Sequence, residues 1–390
     1  MLGQVHCRFD FSDSRDALEQ VLPREYRNPL RVLAARTPTE CRSVLAEAEA
    51  ELSAGRHVAG FISYEAAGAL NPVLRVHGDR LQDLPLLQFG VFDKALPAPG
   101  PADAGAATVP QWSTATGPGD HATAIGEIRR LISAGDTYQV NHTIRLRSRL
   151  EGEPDSLYGQ LRAAQPAAWS AFIDIDRHQL LSCSPELFFL RRGQKLVTRP
   201  MKGTTRRSSD YAEDVRLRRE LQESAKERAE NVMITDLLRN DLGMVATPGS
   251  VTVDRLLEVE SHPTFHALTS TVSAVPADGA GLAQVMEALF PCGSVTGAPK
   301  VRTMEIINSL EPEPRGVYCG TMGFADPDGT WAFNVAIRTV QHRSDSGELV
   351  YGTGGGITWD SIAEAEHAEA LLKASFLPGS PAGWRNGKRP

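Results

Sequence analysis

A series of strand-like segments, with few helical patterns between them, is the feature that most constrains the fold of this chain. Apolar runs and partial alternation predict strands at 58–64, 137–146, 170–174, 187–191, 251–257, 320–325, 331–341 and 349–353. A doubly wound parallel sheet would need a helix after nearly every strand. The order of the segments therefore predicts an α+β fold with largely antiparallel sheets.

Helical patterns occupy a smaller part of the chain. They fall at 39–54, 121–134, 210–238, 281–289 and 361–376. The last of these segments precedes a polar end of the chain after residue 380. The helices are thus expected to pack around the sheets.

One stretch of unusual composition divides the chain. Residues 95–120 are dense in Ala, Pro and Gly and contain few large apolar residues, which predicts a linker or an exposed loop. The division leaves an N-terminal part at 1–94 and a larger body at 121–378.

The overall composition is that of an ordinary globular chain of 390 residues, with 41% hydrophobic and 23% charged residues. Its formal net charge of −7 argues against a nucleic-acid-binding surface. No apolar run reaches 18 residues, so no membrane span is predicted. The five cysteines are scattered and odd in number, which favours reduced thiols in a cytoplasmic protein over a disulfide framework.

Two helical segments each carry a pair of glutamates three residues apart, Glu227 with Glu230 and Glu366 with Glu369. Residues at this spacing share a helix face, so the two helices could meet around an all-oxygen site. Mg²⁺ with several retained waters suits such a site. Glutamates on solvated helix faces have the same spacing, although the apolar residues beside these four indicate helices that are partly buried.

Gly354, Gly355 and Gly356 come just before the second glutamate pair. Glycines let the backbone approach a ligand closely and present its N–H groups. An anion chelated by Mg²⁺ could therefore lie between this segment and the glutamates. A tight connection from a strand to a helix is the alternative.

Lys202 and Glu186 are candidates for chemistry. Lys202 lies between Pro200 and Gly203, a setting that predicts a turn. It is either a surface charge or, where desolvation lowers its pKa, a nucleophile. Glu186 begins a predicted strand and is a candidate general acid.

Three further motifs do not fit their templates. The glycine segment 352–356 lacks the last glycine of a dinucleotide-binding fingerprint, because position 357 is Ile. Residues 293–300 lack the Gly-Lys-Ser/Thr ending of a phosphate loop. His262 and His266 have an H-x-x-x-H spacing, but the proline between them argues against the helix that such a zinc site requires.

Nine segments together resemble the chorismate-utilising enzymes, a family that includes anthranilate, aminodeoxychorismate, isochorismate and salicylate synthases. In chain order they are GDTYQVN (135–141), SPELF (184–188), RPMKGT (199–204), KERAENVMITDLLRNDLG (226–243), FPCGSVTGAPKVRTMEII (290–307), YCGTMGF (318–324), AIRT (336–339), GGGI (354–357) and AEHAEALLKA (365–374). The resemblance implies an α+β fold with two large antiparallel sheets packed among helices. It also implies one Mg²⁺ that holds the C1 carboxylate of chorismate.

The resemblance further implies roles for the residues at matching positions. Glu230 and Glu369 would be direct Mg²⁺ ligands, and Glu227 and Glu366 would adjoin the ion through water. Glu186 would be the general acid that assists loss of the C4 hydroxyl. The implied substrate-binding set is Gln139, Thr296, Tyr318, Arg338, Gly354, Gly355, Gly356 and Lys373.

Three positions distinguish branches of the family. Isochorismate and salicylate synthases carry a water-activating lysine at the position of Gln139, so hydroxylation at C2 is disfavoured here. Aminodeoxychorismate synthases with a lysine at the position of Lys202 use it as a nucleophile on C2 before ammonia attacks C4. Ala267 stands where anthranilate synthases usually have His. The resemblance therefore favours the aminodeoxychorismate synthase component I branch, which serves p-aminobenzoate and folate synthesis, with anthranilate synthase component I as the alternative.

The resemblance also implies a partner. No glutaminase cysteine motif is present in the sequence, so ammonia would come from a separate glutaminase subunit or from solution. A non-catalytic regulator that binds chorismate on the same scaffold is a third possibility. The intact set of four glutamates argues against it.

Overall fold

The computed structural model describes residues 5–12, 21–78, 81, 83–100 and 105–386. Within these residues the strands are β1 (Val5–Phe11), β2 (Arg24–Tyr26), β3 (Arg31–Ala35), β4 (His57–Ile62), β5 (Leu87–Phe92), β6 (Leu96–Pro97), β7 (Ser113–Thr114), β8 (Gln139–Arg149), β9 (Trp169–Ile175), β10 (His178–Ser184), β11 (Leu187–Arg192), β12 (Lys195–Arg199), β13 (Met201–Arg206), β14 (Thr252–Ser261), β15 (Phe265–Ala274), β16 (Gly297–Ala298), β17 (Thr321–Ala325), β18 (Thr330–Val335), β19 (Thr339–Arg343) and β20 (Glu348–Ile357). The α-helices are α1 (Pro38–Ser53), α2 (Ala67–Leu70), α3 (Pro118–Ser133), α4 (Pro154–Ala164), α5 (Tyr211–Glu223), α6 (Ala225–Gly243), α7 (Leu282–Leu289), α8 (Lys300–Leu310) and α9 (Ala363–Leu372). Short 3₁₀ turns lie at Tyr64–Ala66, Gly293–Val295 and Ala382–Asn386.

The strands form two large sheets in which the pairings are antiparallel. The first sheet has the order β16-β8-β20-β19-β10-β9-β1-β2-β6, with β7 beside β8. The second has the order β13-β15-β12-β11-β18-β17-β4-β5-β3, with β14 beside β15. The predicted α+β fold with two mainly antiparallel sheets is confirmed.

The two sheets pack face to face around an aromatic core. Phe9 of the first sheet and Phe324 of the second lie with ring centroids 5.4 Å apart and belong to one apolar cluster. Alternation along a strand places neighbouring side chains on opposite faces. Leu180 accordingly faces this core, whereas Leu181 packs with Leu161 of α4 on the outer face. Helices α1, α6 and α7 contribute to the cluster on the other side of the second sheet.

The helix predicted over 210–238 is two helices. Ser224 ends α5 and begins α6, because its backbone is extended and its side chain accepts a hydrogen bond from the N–H of Glu227. Asp210 caps α5 in the same way through the N–H of Glu213. The break lets α6 take its own direction beside β15, and α6 carries the first glutamate pair.

The strand predicted over 331–341 is also divided. β18 belongs to the second sheet and β19 to the first, so the chain crosses between the sheets at 336–338. Arg338 has a positive φ of 52° at this crossing. Such a backbone is uncommon for a residue with a Cβ and tends to occur at functional positions.

At the candidate site one local prediction was wrong, and one alternative that the sequence left open does not apply. Lys202 lies within strand β13 rather than in a turn, and its neighbour Gly203 makes a bulge with a φ of 76°. Gly354, Gly355 and Gly356 lie within β20, where they pair with β8, rather than in a connection between a strand and a helix. Both segments are strands because each pairs with a strand that is distant in the sequence, β13 with β15 and β20 with β8.

Residues from the predicted N-terminal part contribute strands to both sheets, since β1 pairs with β9 and β4 pairs with β17. In the predicted linker, Trp112 is buried and its Nε1 donates to the carbonyl of Pro378 at 2.8 Å. The division at 95–120 stays a prediction. The parts of these two segments that fall outside the described residues are 1–4, 13–20, 79–80, 82 and 101–104. Across the described residues, none of the helices combines the length and the apolar character needed to cross a bilayer.

Candidate functional site

A cleft opens where β8 and β20 of the first sheet meet β13 of the second, and α6 and α9 form its remaining wall. Most of the predicted site residues line it. They are Glu186, Lys202, Glu227, Glu230, Tyr318, Arg338, Gly354, Gly355, Gly356, Glu366, Glu369 and Lys373. Residues separated by almost 190 positions in the sequence thus meet at one site.

The two glutamate pairs come together as expected. Glu227 and Glu230 lie on one face of α6, and Glu366 and Glu369 lie on one face of α9. Glu230 and Glu366 are 8% and 9% exposed. Burial, with Glu227 and Glu366 close by, raises the pKa of Glu230 above its ordinary value, although Lys202 and Lys226 oppose this shift. Carboxylates crowded in this way favour the binding of a cation.

Lys226 occupies the space between the two helices. Its Nζ lies 3.9 Å from Oε1 of Glu230 and 3.9 Å from Oε1 of Glu366. Across the described part of the chain, no group of three or more His, Cys, Asp or Glu residues has its side chains arranged to hold a metal ion. The donor chemistry nevertheless suits Mg²⁺, because four carboxylates face one cleft and Mg²⁺ usually takes one or two of them together with water.

Lys202 and Glu186 are linked through Ser294. The Nζ of Lys202 donates to the carbonyl of Ser294 at 2.8 Å. The side chain of Ser294 is a hydrogen-bond partner of Glu186, and the N–H of Met201 approaches Oε1 of Glu186 at 3.5 Å. A lysine and a carboxyl group therefore lie on the same side of the cleft.

Burial favours the uncharged form of both side chains. Burial raises the pKa of Glu186 to about 7, although Ser294 and Lys202 favour its ionised form. Burial also lowers the pKa of Lys202, with Glu230 and Glu186 opposing and Lys373 reinforcing the shift. A protonated carboxyl group can donate a proton near neutral pH, and a lysine with a lowered pKa is more often a free amine.

Arg338 and Tyr318 both line the cleft. The Nη1 of Arg338 donates to Oε1 of Gln165 at 2.9 Å. Tyr318 is 5% exposed, and a Cβ on Gly352 would lie 2.2 Å from its ring. Glycine at 352 therefore lets the Tyr318 ring lie directly against β20. The arginine fork is suited to bind a carboxylate, and the phenol supplies a further hydrogen-bonding group to the cleft.

Lys373 joins the glycine strand to α9. Its Nζ donates to the carbonyl of Gly354 at 2.9 Å and lies 3.1 Å from Oε1 of Glu369. A Cβ on Gly355 would lie 3.5 Å from both the Lys373 ammonium and Oε2 of Glu366. Position 355 thus faces a cation and a carboxylate of the cleft.

Two of the predicted substrate-binding residues are placed differently. Gln139 is fully buried and its Nε2 donates to Oε2 of Glu230 at 3.3 Å. Thr296 is fully buried, and its hydroxyl donates within its own turn to the carbonyls of Cys292 and Gly293. Neither residue is among those that line the cleft.

Sequence reasoning missed several residues of the site. Lys226 precedes Glu230 by one helical turn, and this spacing was a signal for its position. Ser294 carried no signal, because its contacts to Lys202 and Glu186 come from distant segments. Asn231 is fully buried and its Nδ2 donates to the carbonyl of Leu268 at 3.0 Å, which fixes α6 against β15.

The sequence is similar to those of known chorismate binding enzymes. The family model described as chorismate binding enzyme matches residues 96–378. Aminodeoxychorismate synthase component 1 of Escherichia coli K12 is 41% identical over 251 residues, which are 64% of this chain and 55% of that protein. Anthranilate synthase component 1 of Streptomyces coelicolor is 40% identical over 286 residues, 73% of this chain and 55% of that protein. The matches thus span about half the length of these relatives.

Solved structures share the fold. Anthranilate synthase component I from Streptococcus pneumoniae TIGR4 superposes with a TM-score of 0.79 at 23% identity, over 94% of each chain. The menaquinone-specific isochorismate synthase of Escherichia coli gives a TM-score of 0.71 at 15% identity, over 97% of this chain and 88% of that one. At these identities the likeness speaks for the fold.

Proposed function

Because the chain belongs to the family of chorismate binding enzymes, we propose that it is an aminodeoxychorismate synthase component I. It would convert chorismate and ammonia to 4-amino-4-deoxychorismate. The observation that carries the proposal is the position of Lys202 in the cleft, with a lowered pKa and beside the carboxyl group of Glu186. Similarity to curated aminodeoxychorismate synthases supports the same reaction.

In the proposed reaction, the Lys202 amine forms a bond to C2 of chorismate, both conjugated ring double bonds shift by one position, and the C4–O bond breaks. Glu186 gives its proton to the departing hydroxyl, which leaves as water. Ammonia then forms a bond to C4, both double bonds shift back, and the C2–N bond breaks so that Lys202 leaves as an amine. The new ammonium group at C4 gives up a proton, and Glu186 is protonated again. Lys202 and Glu186 are suited to these roles because burial lowers the pKa of Lys202 and raises the pKa of Glu186 to about 7.

Glu230 and Glu369 would hold Mg²⁺, with Glu227 and Glu366 adjoining through water. The ion would offset the negative charge of the substrate carboxylate among four glutamates. Arg338, Tyr318 and Lys373 would bind the anionic substrate, with β20 at Gly354–Gly356 running along one side of it. Gln139 would act on the substrate only through Glu230, which it contacts.

We also propose a separate glutaminase subunit as the source of ammonia. The component 1 names of the similar curated proteins support this proposal. A cytoplasmic location accords with five buried free cysteines and belongs to the same proposal.

A product assay tests the reaction. The protein is incubated with chorismate, Mg²⁺ and ammonium, and an aminodeoxychorismate lyase is then added. We expect p-aminobenzoate. Fluorescent anthranilate formed without the lyase would instead establish the second candidate, anthranilate synthase component I, which the 40% identity to the Streptomyces coelicolor protein favours.

The covalent step has its own test. We expect Lys202→Ala to lose most of its p-aminobenzoate formation in the coupled assay or to become strongly dependent on added ammonia. Lys94→Ala, which removes an exposed lysine that does not line the cleft, is the matched control, and we expect it to keep full activity. Full activity of Lys202→Ala at limiting ammonia would exclude the lysine intermediate.

A further inference from the structure

The backbone of Arg338 is held in place by its own conformation and by a hydrogen bond to a neighbouring strand. It lies at the crossing from β18 to β19 with a φ of 52°, and its carbonyl accepts a hydrogen bond from the N–H of Cys183 at 3.0 Å. Its side chain lines both the cleft and a neighbouring cavity. Side-chain contacts must therefore decide where the guanidinium points.

The groups that this guanidinium contacts are uncharged. Its Nη1 donates to Oε1 of Gln165 at 2.9 Å, and its Cζ lies 5.6 Å from the centre of the Phe376 ring. In the part of the chain that the structure describes, Arg338 forms no ion pair. Other arginines beside the site differ in this respect. Arg145 and Arg315, for example, both pair with Glu311.

Gln165 is itself held at both ends. It is 4% exposed and caps the C-terminus of α4, where its N–H donates to the carbonyl of Leu161 at 2.8 Å. Its Nε2 donates to Oγ1 of Thr264 at 3.2 Å, while its Oε1 faces Arg338. Since a guanidinium only donates and a hydroxyl oxygen can accept, this orientation of the amide satisfies both partners.

We propose that Gln165 is a positioning residue that orients Arg338 without neutralising it. A carboxylate at this place would form a charge-assisted pair with the guanidinium and compete with the substrate for it. An amide uses one donor of the fork and leaves the positive charge for a carboxylate of the ligand. The inference rests on the proposed function, because it takes chorismate as that ligand.

Direct binding measurements test this role without relying on the product. Calorimetric titration of chorismate in the presence of Mg²⁺ is carried out on the wild-type chain and on Gln165→Glu, which keeps the size of the side chain. We expect Gln165→Glu to weaken chorismate binding about tenfold or more, as introduced charge pairing does at a binding site. The KM rises by a similar factor and the kcat changes much less.

Gln160→Glu is the matched control. Gln160 lies on the same helix and donates to the carbonyls of Gly105 and Ala107, away from the cleft. This variant binds chorismate as the wild type does. Binding by Gln165→Glu within twofold of wild type, or a loss confined to kcat, overturns the inference.

Two other results, loss of chorismate binding by the wild-type chain and misfolding of Gln165→Glu, can be told apart from failure of the inference. If the wild-type chain does not bind chorismate, the proposed function fails as well. If Gln165→Glu does not fold, as judged by its melting transition, Gln165→Ala takes its place. A raised KM with a largely retained kcat supports the positioning role of Gln165, and an unchanged KM overturns it.

Discussion

Two buried clusters of charge in this chain behave in opposite ways. Glu311 is 2% exposed in its side chain and has a pKa of about 2, because Arg315 and Arg145 outweigh the burial that alone would raise it. Glu186 is 3% exposed and has a pKa of about 7, because burial outweighs its hydrogen bonds and its lysine neighbour. Equal burial thus gives a permanently ionised carboxylate in one place and a titrating one in the other.

The difference lies in the partners. Arg315 donates to both carboxylate oxygens of Glu311 and to the carbonyls of Asn141 and Val295. Arg145 closes the same network with a contact to Glu311 of 3.1 Å. Glu186 instead has Ser294, Lys202 and the N–H of Met201 as its polar neighbours. Burial alone therefore does not mark a functional group in this protein, whereas burial without a matched partner does.

The largest expected effect comes from breaking the matched cluster. Arg315→Met leaves Glu311 buried with only Arg145 as a charged partner, which costs about 3–5 kcal/mol of the free energy of unfolding. Urea denaturation followed by circular dichroism measures this loss. Arg216→Met, which breaks an exposed i,i+4 pair with Glu220, should cost less than about 1 kcal/mol.

The double variant Arg315→Met with Glu311→Gln sharpens this prediction. Removing the uncompensated charge should restore part of the stability lost in Arg315→Met. Equal losses for Arg315→Met and Arg216→Met would show that the matched network contributes no more than a surface pair.

The second prediction concerns the unmatched carboxyl group. Glu186 donates a proton in the proposed reaction, so it must be protonated in the free enzyme. Its pKa of about 7 predicts that kcat/KM for chorismate falls about tenfold per pH unit above pH 7. A carboxyl group at its ordinary pKa would already be ionised there. The profile is measured from pH 6 to pH 9 in the coupled assay.

The variant Glu186→Gln tests whether Glu186 causes the fall in kcat/KM above pH 7. The variant keeps the shape of the side chain but has no carboxyl proton, so its remaining activity should not fall in this way above pH 7. Lys202 must be a free amine to react, so its protonation lowers kcat/KM on the acidic side of the profile. Because Lys202 and Glu186 interact, the pKa values fitted to the profile belong to the pair and not to either residue alone. A wild-type profile that is flat from pH 7 to pH 9 would contradict the role of Glu186.

The sequence predicted the composition of the site better than its local structure. The helical spacing of Glu227 with Glu230, and of Glu366 with Glu369, placed both pairs on shared faces because such spacing is a local property. The strand that holds Lys202 was not predicted, and the strand predicted at 349–353 continues through Gly354–Gly356 to Ile357. Their state depends on β15 and β8, which lie far away in the sequence and which no local pattern identifies as partners.

The matched cluster was missed for the same reason. Glu311 and Arg315 are one helical turn apart in number, yet no α-helix joins them, because α8 ends at Leu310. Glu65 closes the network from the N-terminal part by accepting the N–H groups of Arg315 and Gly316. Only the folded chain brings these segments together.

The smallest expected effect separates stability from function at Glu230. Burial and the nearby Glu227 and Glu366 raise its pKa, so the folded state disfavours its ionised form. Above that pKa and without Mg²⁺, Glu230→Gln should therefore stabilise the protein, by up to about 1 kcal/mol, because it removes a charge that the fold compensates poorly. Denaturation in the presence of a chelator at pH 8 measures the change, with the exposed Glu220→Gln as control.

The same substitution should weaken the response to the metal. If Glu230 is a ligand, Glu230→Gln needs more Mg²⁺ for half-maximal activity, by about tenfold or more, although its apo form is the more stable. At Glu311, where the charge is matched, Glu311→Gln should instead lower stability and leave the Mg²⁺ requirement unchanged. A destabilised Glu230→Gln with an unaltered Mg²⁺ requirement would place Glu230 with the structural carboxylates, and the contrast between the two clusters would then reduce to the position of Glu186 and Lys202 alone.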